Sequence, residues 1–497
     1  MNPLPALDRR RAGVLLHPTS LPGGGDLGAD AFRFVDFLAQ SGFSVWQMLP
    51  LGPTHHDGSP YHSLSLHAGN PMLISLERLV EWGWLDSGGA SDAHGTPAFR
   101  LDRLGHAYQL FTQRAPESDQ KAFEQFVNAE AYWLEDYALY RVLRQEFSGL
   151  AWPQWPAPLR DRDPETLAAT RIRLMDEIVR VCFEQFVFAR QWRALREHAA
   201  ACGVRLFGDV PIFVAHDSVD VWTGREYFLL DADGRPTVVA GVPPDYFSKD
   251  GQRWGNPLYR WERMQRNGFR WWIERLTTEF RRFDLLRIDH FRGFEAYWEI
   301  PAAEATAVNG RWVKAPGATL FDTLKAHFGV LPLVAEDLGQ ITPEVYALRD
   351  RYGFPGMKIL QFAFDSGPDN PYLPHNHEVT SVVYTGTHDN DTTAAWFENL
   401  PAPQQLAVVE YLGYQQEPMP WPLIRSALAS VAQLAIVPMQ DLLALGRGHR
   451  MNAPGTSVGN WSWRFTWEDM EPDLPQRLRR LSGMYGRQSF SQPDHVP

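Results

Sequence analysis

Eight short apolar runs, at residues 14–16, 45–49, 204–207, 285–288, 333–335, 357–362, 382–384 and 435–438, recur along the chain, and most are separated by stretches of helical periodicity. Strands that return parallel to one another need a long crossover between them, usually a helix, so this alternation points to repeated βα units. Eight is the number at which such units close into a barrel with no free edge. The fold class predicted is α/β: a (β/α)8 TIM barrel spanning residues 1–497 as a single domain.

Local punctuation supports the count. Thr342-Pro343 reads as an N-cap followed by proline in the first helical turn, with Gly353 as the stop. Residues 268–282 place Phe269, Trp272, Ile273, Leu276 and Phe280 on one helical face just before the run at 285–288. A helix at about 170–200 ends at Gly203, immediately ahead of the run at 204–207. Two connections are far longer than a barrel requires, 53–165 and 213–267. Each leaves the C-terminal end of a strand, the face where barrel enzymes build their sites, so both are expected to form subdomains over the mouth.

Composition excludes several classes of function. With 44% hydrophobic and 21% charged residues the chain can fill a full-sized core. A formal net charge of −12 and the lack of any Lys/Arg run argue against a nucleic-acid partner. No window is apolar enough to span a membrane, and no signal-peptide core follows residues 1–11, so a cytoplasmic protein is expected. Cys182 and Cys202 are too few for a disulfide framework or a cysteine-based zinc site. Nineteen Trp would suit stacking on the C–H faces of sugars, although composition alone favours the plainer account of a large aromatic core.

Polar clusters follow nearly every predicted strand: His17, Asp209, Arg287-x-Asp289-His290, Glu336-Asp337 and Thr387-His388-Asp389-Asn390. One aspartate after a strand is usually a helix cap. Five clusters at one end of a barrel crowd acids and histidines where they repel and desolvate one another, which is an arrangement of active sites. Asp289 and Glu336 follow neighbouring strands, about 4.8 Å apart, so their carboxyls can approach to the roughly 5–5.5 Å typical of retaining glycosidases. Arg287, two residues before Asp289 and on the same strand face, favours its ionised, nucleophilic form, whereas Glu336 needs a raised pKa to act as proton donor. Asp389 is placed to hold sugar hydroxyls. Activity should then follow a bell-shaped pH profile, with Asp289 and Glu336 setting its two limbs.

The segments LLRIDHFRG (285–293), LVAEDLG (333–339) and VVYTGTHDND (382–391) resemble the catalytic motifs of the amylomaltases, or 4-α-glucanotransferases, glycoside hydrolase family 77 of the α-amylase clan. SPYHSLSLHAGNP (59–71), FGDVPIFVAHDSVD (207–220), GVPPDYFSKDGQRWGNPLY (241–259) and RMNAPGTSVGNWSWR (450–464) match it too, so the resemblance runs from about residue 12 to residue 467. It implies Asp289 as nucleophile, Glu336 as acid/base and Asp389 as third carboxylate. Arg287 and His388 match its contacts to the sugar in the cleavage subsite, Asp209 matches its acid after the third strand and is counted with the substrate-binding residues, and Tyr61, Trp254 and Asn460 fall in segments lining its glucan groove. It implies disproportionation of α-1,4-glucans with no cofactor and no metal. His62 in place of the family's usual Gln, Leu66-His67 in place of a common Ala-Phe pair, and a short first loop SLPGGGDLG are departures that bear on glucan grip and chain-length preference.

Other readings are weaker. Gly23-x-Gly25-x-x-Gly28 matches a dinucleotide fingerprint, but no acid ends the next strand, so a glycine-rich turn is expected. His17, His216, His290 and His388 with Asp209 and Asp289 suggest a metal-dependent hydrolase, yet no His-x-His pair lies on the first strand. A non-catalytic glucan-binding module would fit the Trp content but has no need of paired acids. An α-1,4-glucan hydrolase is the alternative enzyme, and transfer is favoured over it if the stretch 246–254 folds over the cleft and excludes water.

Overall fold

The computed structural model describes residues 7–90, 95–244, 248–456 and 458–488. The eight runs form eight strands: β1 (Arg11–Leu15), β2 (Val45–Gln47), β3 (Arg205–Val210), β4 (Leu285–Ile288), β5 (Leu333–Ala335), β6 (Gly356–Ile359), β7 (Ser381–Tyr384) and β8 (Leu434–Pro438). All the ladders are parallel and follow chain order, with β8 returning to β1. The Ala335 N–H donates to the Pro355 carbonyl at 2.9 Å and joins β5 to the start of β6. The fold is therefore a (β/α)8 barrel. The sixth run ends earlier than expected: the strand stops at Ile359 and Leu360–Phe362 is a 3-10 turn that brings Phe362 to the surface.

Side chains alternate across the barrel wall. Leu15, Val45, Phe207, Leu285, Val334, Ile359, Val382 and Leu434 pack together inside it. Their strand neighbours Val14, Trp46, Leu206, Leu286, Ala335, Val383 and Ala435 join the larger core shared with the helices. Both faces are buried, which is why these strands read as continuous apolar runs. Helix Met175–Ala201 stops before Gly203, whose φ is 72°. Helix Arg270–Arg282 buries Trp272 and Leu276, while Phe269 sits at its N-cap with a φ of 55° instead of within the helix. Helix Pro343–Tyr352 ends at Gly353 in the left-handed conformation as expected, but the Thr342 side chain makes no capping bond to it.

The first insertion is helical, dominated by Pro97–Arg114 and the 30-residue Glu117–Glu146. Phe111 and Phe123 pack on Phe183 and Phe186 of helix Met175–Ala201, and Arg190 pairs with Asp119 at 2.9 Å. Tyr140 Oη donates to Asp217 Oδ1 at 2.7 Å, and Trp152 Nε1 donates to the His216 carbonyl at 2.8 Å, so the two insertions are tied together. Antiparallel strands Val238–Val242 and Gln252–Pro257 of the second insertion extend into a four-stranded sheet. Its other two strands, Ala296–Pro301 and Arg311–Lys314, come from the β4–β5 connection. That third excursion escapes a sequence reading because two short strands, one of them largely exposed, carry little hydrophobic pattern. Among the described residues no helix is long and apolar enough to cross a membrane.

The GxGxxG segment is a turn. Gly23 and Gly25 have φ of 64° and 63°, and a Cβ on Gly25 would meet the Thr19 carbonyl at 2.7 Å. The Asp26 carboxylate accepts the N–H of Gly28 at 3.0 Å and is itself held by Arg100, so the chain supplies its own anion at the start of helix Ala29–Gln40.

Candidate active site

The barrel's two-residue period assembles the site. In β3, Asp209 follows the interior residue Phe207 by two; in β4, Arg287 and Asp289 follow Leu285; after β5, Glu336 follows Val334. All four side chains thus continue interior rows at the C-terminal end. Asp209 and Arg287 are register partners across β3 and β4, and their side chains meet at 2.6 Å. Ladder bonds run one step past the strands, from Asp289 N–H to the Val210 carbonyl and from Glu336 N–H to the Ile288 carbonyl, both at 3.0 Å. The backbones that carry the two acids are fixed by the sheet.

Arg287 is the hub. Its Nη1 donates to Asp209, its Nη2 donates to Asp289 Oδ1 at 2.8 Å, and the same Nη2 lies 4.0 Å from Glu336 Oε2. Tyr61 Oη, from the first insertion, donates to Asp209 Oδ2 at 2.7 Å. Burial drives the Glu336 carboxyl up to about 8, and the negative charge of Asp289 adds to the rise. Arg287 and the His290 N–H, which donates to Glu336 Oε2, oppose it without cancelling it. His290 reaches that bond by adopting a left-handed φ of 50°, a conformation costing on the order of 1–3 kcal/mol outside glycine. Burial also raises the Asp209 carboxyl and lowers the His290 imidazole to about 4, so that ring is neutral near pH 7.

Asp389 sits in the loop after β7, where its N–H meets Thr387 Oγ1 at 3.3 Å and Asn390 Oδ1 accepts the Thr387 N–H at 2.9 Å. Asn452 Nδ2 donates to Asp389 Oδ1 at 2.6 Å, and Arg450 donates to the Asp389 carbonyl. His388 lies 3.4 Å from Asp389 Oδ1 through Nε2 and stacks on Tyr61 with ring centres 5.2 Å apart. Trp461 flanks both rings at 6.0 Å, completing an aromatic wall. On the other side Trp254 stands edge-on to the His290 ring at 4.8 Å while remaining 39% exposed, a surface a sugar can cover.

Asp209, Arg287, Asp289, Glu336, Tyr61, His388 and Asp389 are therefore linked by side-chain contacts, and Trp254 reaches the edge of the group. Asn460 is spent within its own loop: Oδ1 accepts the Ala453 N–H at 3.0 Å and Nδ2 donates to the Thr456 carbonyl. Sequence reasoning missed Asn452, Arg450 and Trp461, although all three lie in the segment that had been singled out for Asn460. Of the stretch 246–254, Tyr246 and Phe247 lie outside the described residues, and Gln252, Arg253 and Trp254 are held in a strand. The changed residues have local partners: His62 stacks on His55 at 4.0 Å and pairs with Asp57 at 2.9 Å, and His67 bonds Thr278 Oγ1 at 2.7 Å.

The metal-hydrolase geometry does not form. His216 bonds the Gly234 carbonyl at 2.7 Å, and Arg287 occupies the space between the acids; among the described residues the mouth groups do not converge to metal-ligand spacing.

A family model described as 4-alpha-glucanotransferase matches residues 16–469. The 4-alpha-glucanotransferase of Thermus thermophilus is 51% identical over 490 residues, covering 95% of this chain and 98% of the relative. The chloroplastic/amyloplastic 4-alpha-glucanotransferase of Solanum tuberosum is 42% identical over 502 residues, covering 97% and 87%. The amylomaltase from Streptococcus agalactiae, solved in complex with acarbose, superposes with a TM-score of 0.94 at 38% identity, covering 97% of this chain and 100% of that one.

Proposed function

Because the chain belongs to the 4-alpha-glucanotransferase family, we propose that it moves a segment of an α-1,4-glucan to the 4-hydroxyl of an acceptor glucan or glucose through a glycosyl–Asp289 intermediate. Glu336 gives its proton to the glycosidic oxygen while Asp289 attacks the anomeric carbon, and the leaving glucan departs with its 4-hydroxyl restored. The acceptor's 4-hydroxyl then attacks the glycosyl ester, Glu336 takes back a proton, and two inversions give net retention. No cofactor enters either step.

The observation that carries this reading is the shared guanidinium. Asp289 and Glu336 both lie within 4.0 Å of Arg287 Nη2, an approach that suits the narrow carboxylate spacing of retaining enzymes. Burial keeps Glu336 protonated near neutrality, as a proton donor must be. Asp389, oriented by Asn452, is read as the group that grips hydroxyls of the distorted sugar, and Tyr61, His388 and Trp461 as the wall on which it stacks.

Residues 1–497 are read as one catalytic barrel domain whose insertions, 53–165 and 213–267, supply Tyr61 and Trp254 to the cleft. The partners are donor and acceptor maltooligosaccharides. Two unpaired cysteines fit a reducing compartment, and we assign the cytoplasm. Transfer over hydrolysis rests on keeping water from the intermediate, which we ascribe to Trp254. Trp254→Ala should raise the hydrolytic share several-fold; an unchanged ratio of transfer to hydrolysis would refute that role.

The test uses maltotriose alone. Glucose with a ladder of longer maltodextrins is the expected result, and glucose with maltose but no ladder would assign hydrolysis instead.

A further inference from the structure

At the end of the barrel opposite the mouth, helix Met175–Ala201 stops ahead of β3, and its last turn meets helix Ala29–Gln40. His198 Nε2 lies 2.7 Å from Asp36 Oδ1, and Cys202 Sγ is 3.7 Å from each of those two atoms. His198 and Cys202 are four residues apart, so the helical repeat stacks them on one face, and Asp36 arrives from the neighbouring helix. Among the described residues this is the group of histidine, cysteine and carboxylate atoms that converges to ligand spacing, all within 4.8 Å of one another. None of the three takes part in the glucan chemistry.

We propose that Asp36, His198 and Cys202 bind a borderline-soft divalent cation of the zinc class. Bond lengths of about 2.3 Å to thiolate and 2.0–2.2 Å to imidazole nitrogen and carboxylate oxygen put the edges of a tetrahedral S, N, O face at roughly 3.3–3.6 Å. The two sulfur edges already match, and the Asp36–His198 edge opens by about 0.6 Å when the metal takes the place of the shared proton. One thiolate, one imidazole and one carboxylate are also the donor types that favour zinc or cobalt over magnesium or calcium.

The side chains of His198 and Asp36 are 31% and 47% exposed, which leaves an entry path and room for water at the fourth position. Burial and the adjacent Asp36 carboxylate hold the Cys202 thiol above its ordinary range, a cost that a bound cation reverses. Binding forms the sulfur–metal bond and releases the thiol proton to solvent, with no change of oxidation state. Because the site joins the helices of the first and second βα units at the N-terminal end of the strands, its effect is expected on stability.

Untagged protein, stripped with a chelator and kept reduced, is titrated with Co2+. The expected result is a near-ultraviolet thiolate-to-cobalt charge-transfer band that saturates at one equivalent, disappears on adding Zn2+, is lost in Cys202→Ser and persists in Cys182→Ser. In the parent protein, equimolar Zn2+ should slow alkylation of Cys202 by about tenfold, read by peptide mass spectrometry, and raise the melting temperature. Asp36→Asn serves as a second ligand variant should Cys202→Ser fold poorly, and it should weaken cobalt binding at least tenfold. No band in the parent protein, a band that survives Cys202→Ser, or Cys202 alkylation indifferent to Zn2+ would each overturn the proposal.

Discussion

Glu336 and Asp337 are adjacent in the chain and face opposite sides of the barrel wall. Alternation past β5 sends Glu336 into the mouth and Asp337 toward the helices. On the helix side the Asp337 pair closes its hydrogen bonds: Arg349 donates to Asp337 Oδ2 at 2.5 Å, the Met357 N–H donates to Oδ1 at 2.8 Å, and Arg349 Nε is engaged by Asp350 at 2.8 Å. On the mouth side the same residue types, Arg287 and Asp209, meet at 2.6 Å, yet Asp209 Oδ1 and Arg287 Nε have no partner among the described residues. Buried polar atoms left unpaired cost about 1–3 kcal/mol each. The Asp337–Arg349 pair is closed on itself, whereas the Asp209–Arg287 pair leaves two buried atoms unpartnered, which fits the proposal that the mouth groups serve a reaction.

The contrast is sharpest if each side fails in its own way when broken. Asp289→Asn should lower maltotriose disproportionation by at least about 10⁴-fold while the melting temperature holds. A loss below about tenfold would remove Asp289 from the chemistry. Asp337→Asn should do the reverse: about 3 kcal/mol of stability lost in urea unfolding, because a buried arginine loses its main partner, with turnover per folded molecule nearly unchanged. If that variant instead kept its stability and lost activity, the division between the two sides would be wrong.

Asn452→Ala, which removes the donor to Asp389, should cut kcat by roughly tenfold, the value of one charge-assisted hydrogen bond. An effect confined to protein yield would mark Asn452 as structural. The smallest effect concerns Glu336. Its folded pKa is raised to about 8, so the folded chain keeps a proton that the unfolded chain releases from about pH 4.5 upward. Stability from this group is therefore present below about pH 4.5 and lost as pH climbs to about 8. Glu336→Gln should raise the melting temperature by about 2 °C or more at pH 8 and by little at pH 4.5. In the parent protein, transfer should fall above about pH 8 as the donor proton is lost. A gain independent of pH would separate Glu336 from the burial argument.

The barrel was legible because eight runs with two buried faces are a strong signal, and the three carboxylates because each lies at the end of such a run. What escaped depended on contacts between distant segments. The strands Ala296–Pro301 and Arg311–Lys314 have meaning only against the second insertion. Asn452 and Trp461 belong to an irregular loop, where no periodicity tells which side chain faces the acids and which, like Asn460, ties the loop to itself. Cys202 carries no signal of its own in the sequence, because its companions lie four residues back in the last turn of the preceding helix and on a helix far upstream.

The most direct test is to trap the intermediate. Glu336→Gln, incubated with an α-maltosyl fluoride whose leaving group needs no acid, should accumulate one maltosyl unit on the peptide 288–292, with fragmentation placing it on Asp289. A sugar mapped to another residue, or turnover of the fluoride with inverted product and no adduct, would contradict the account.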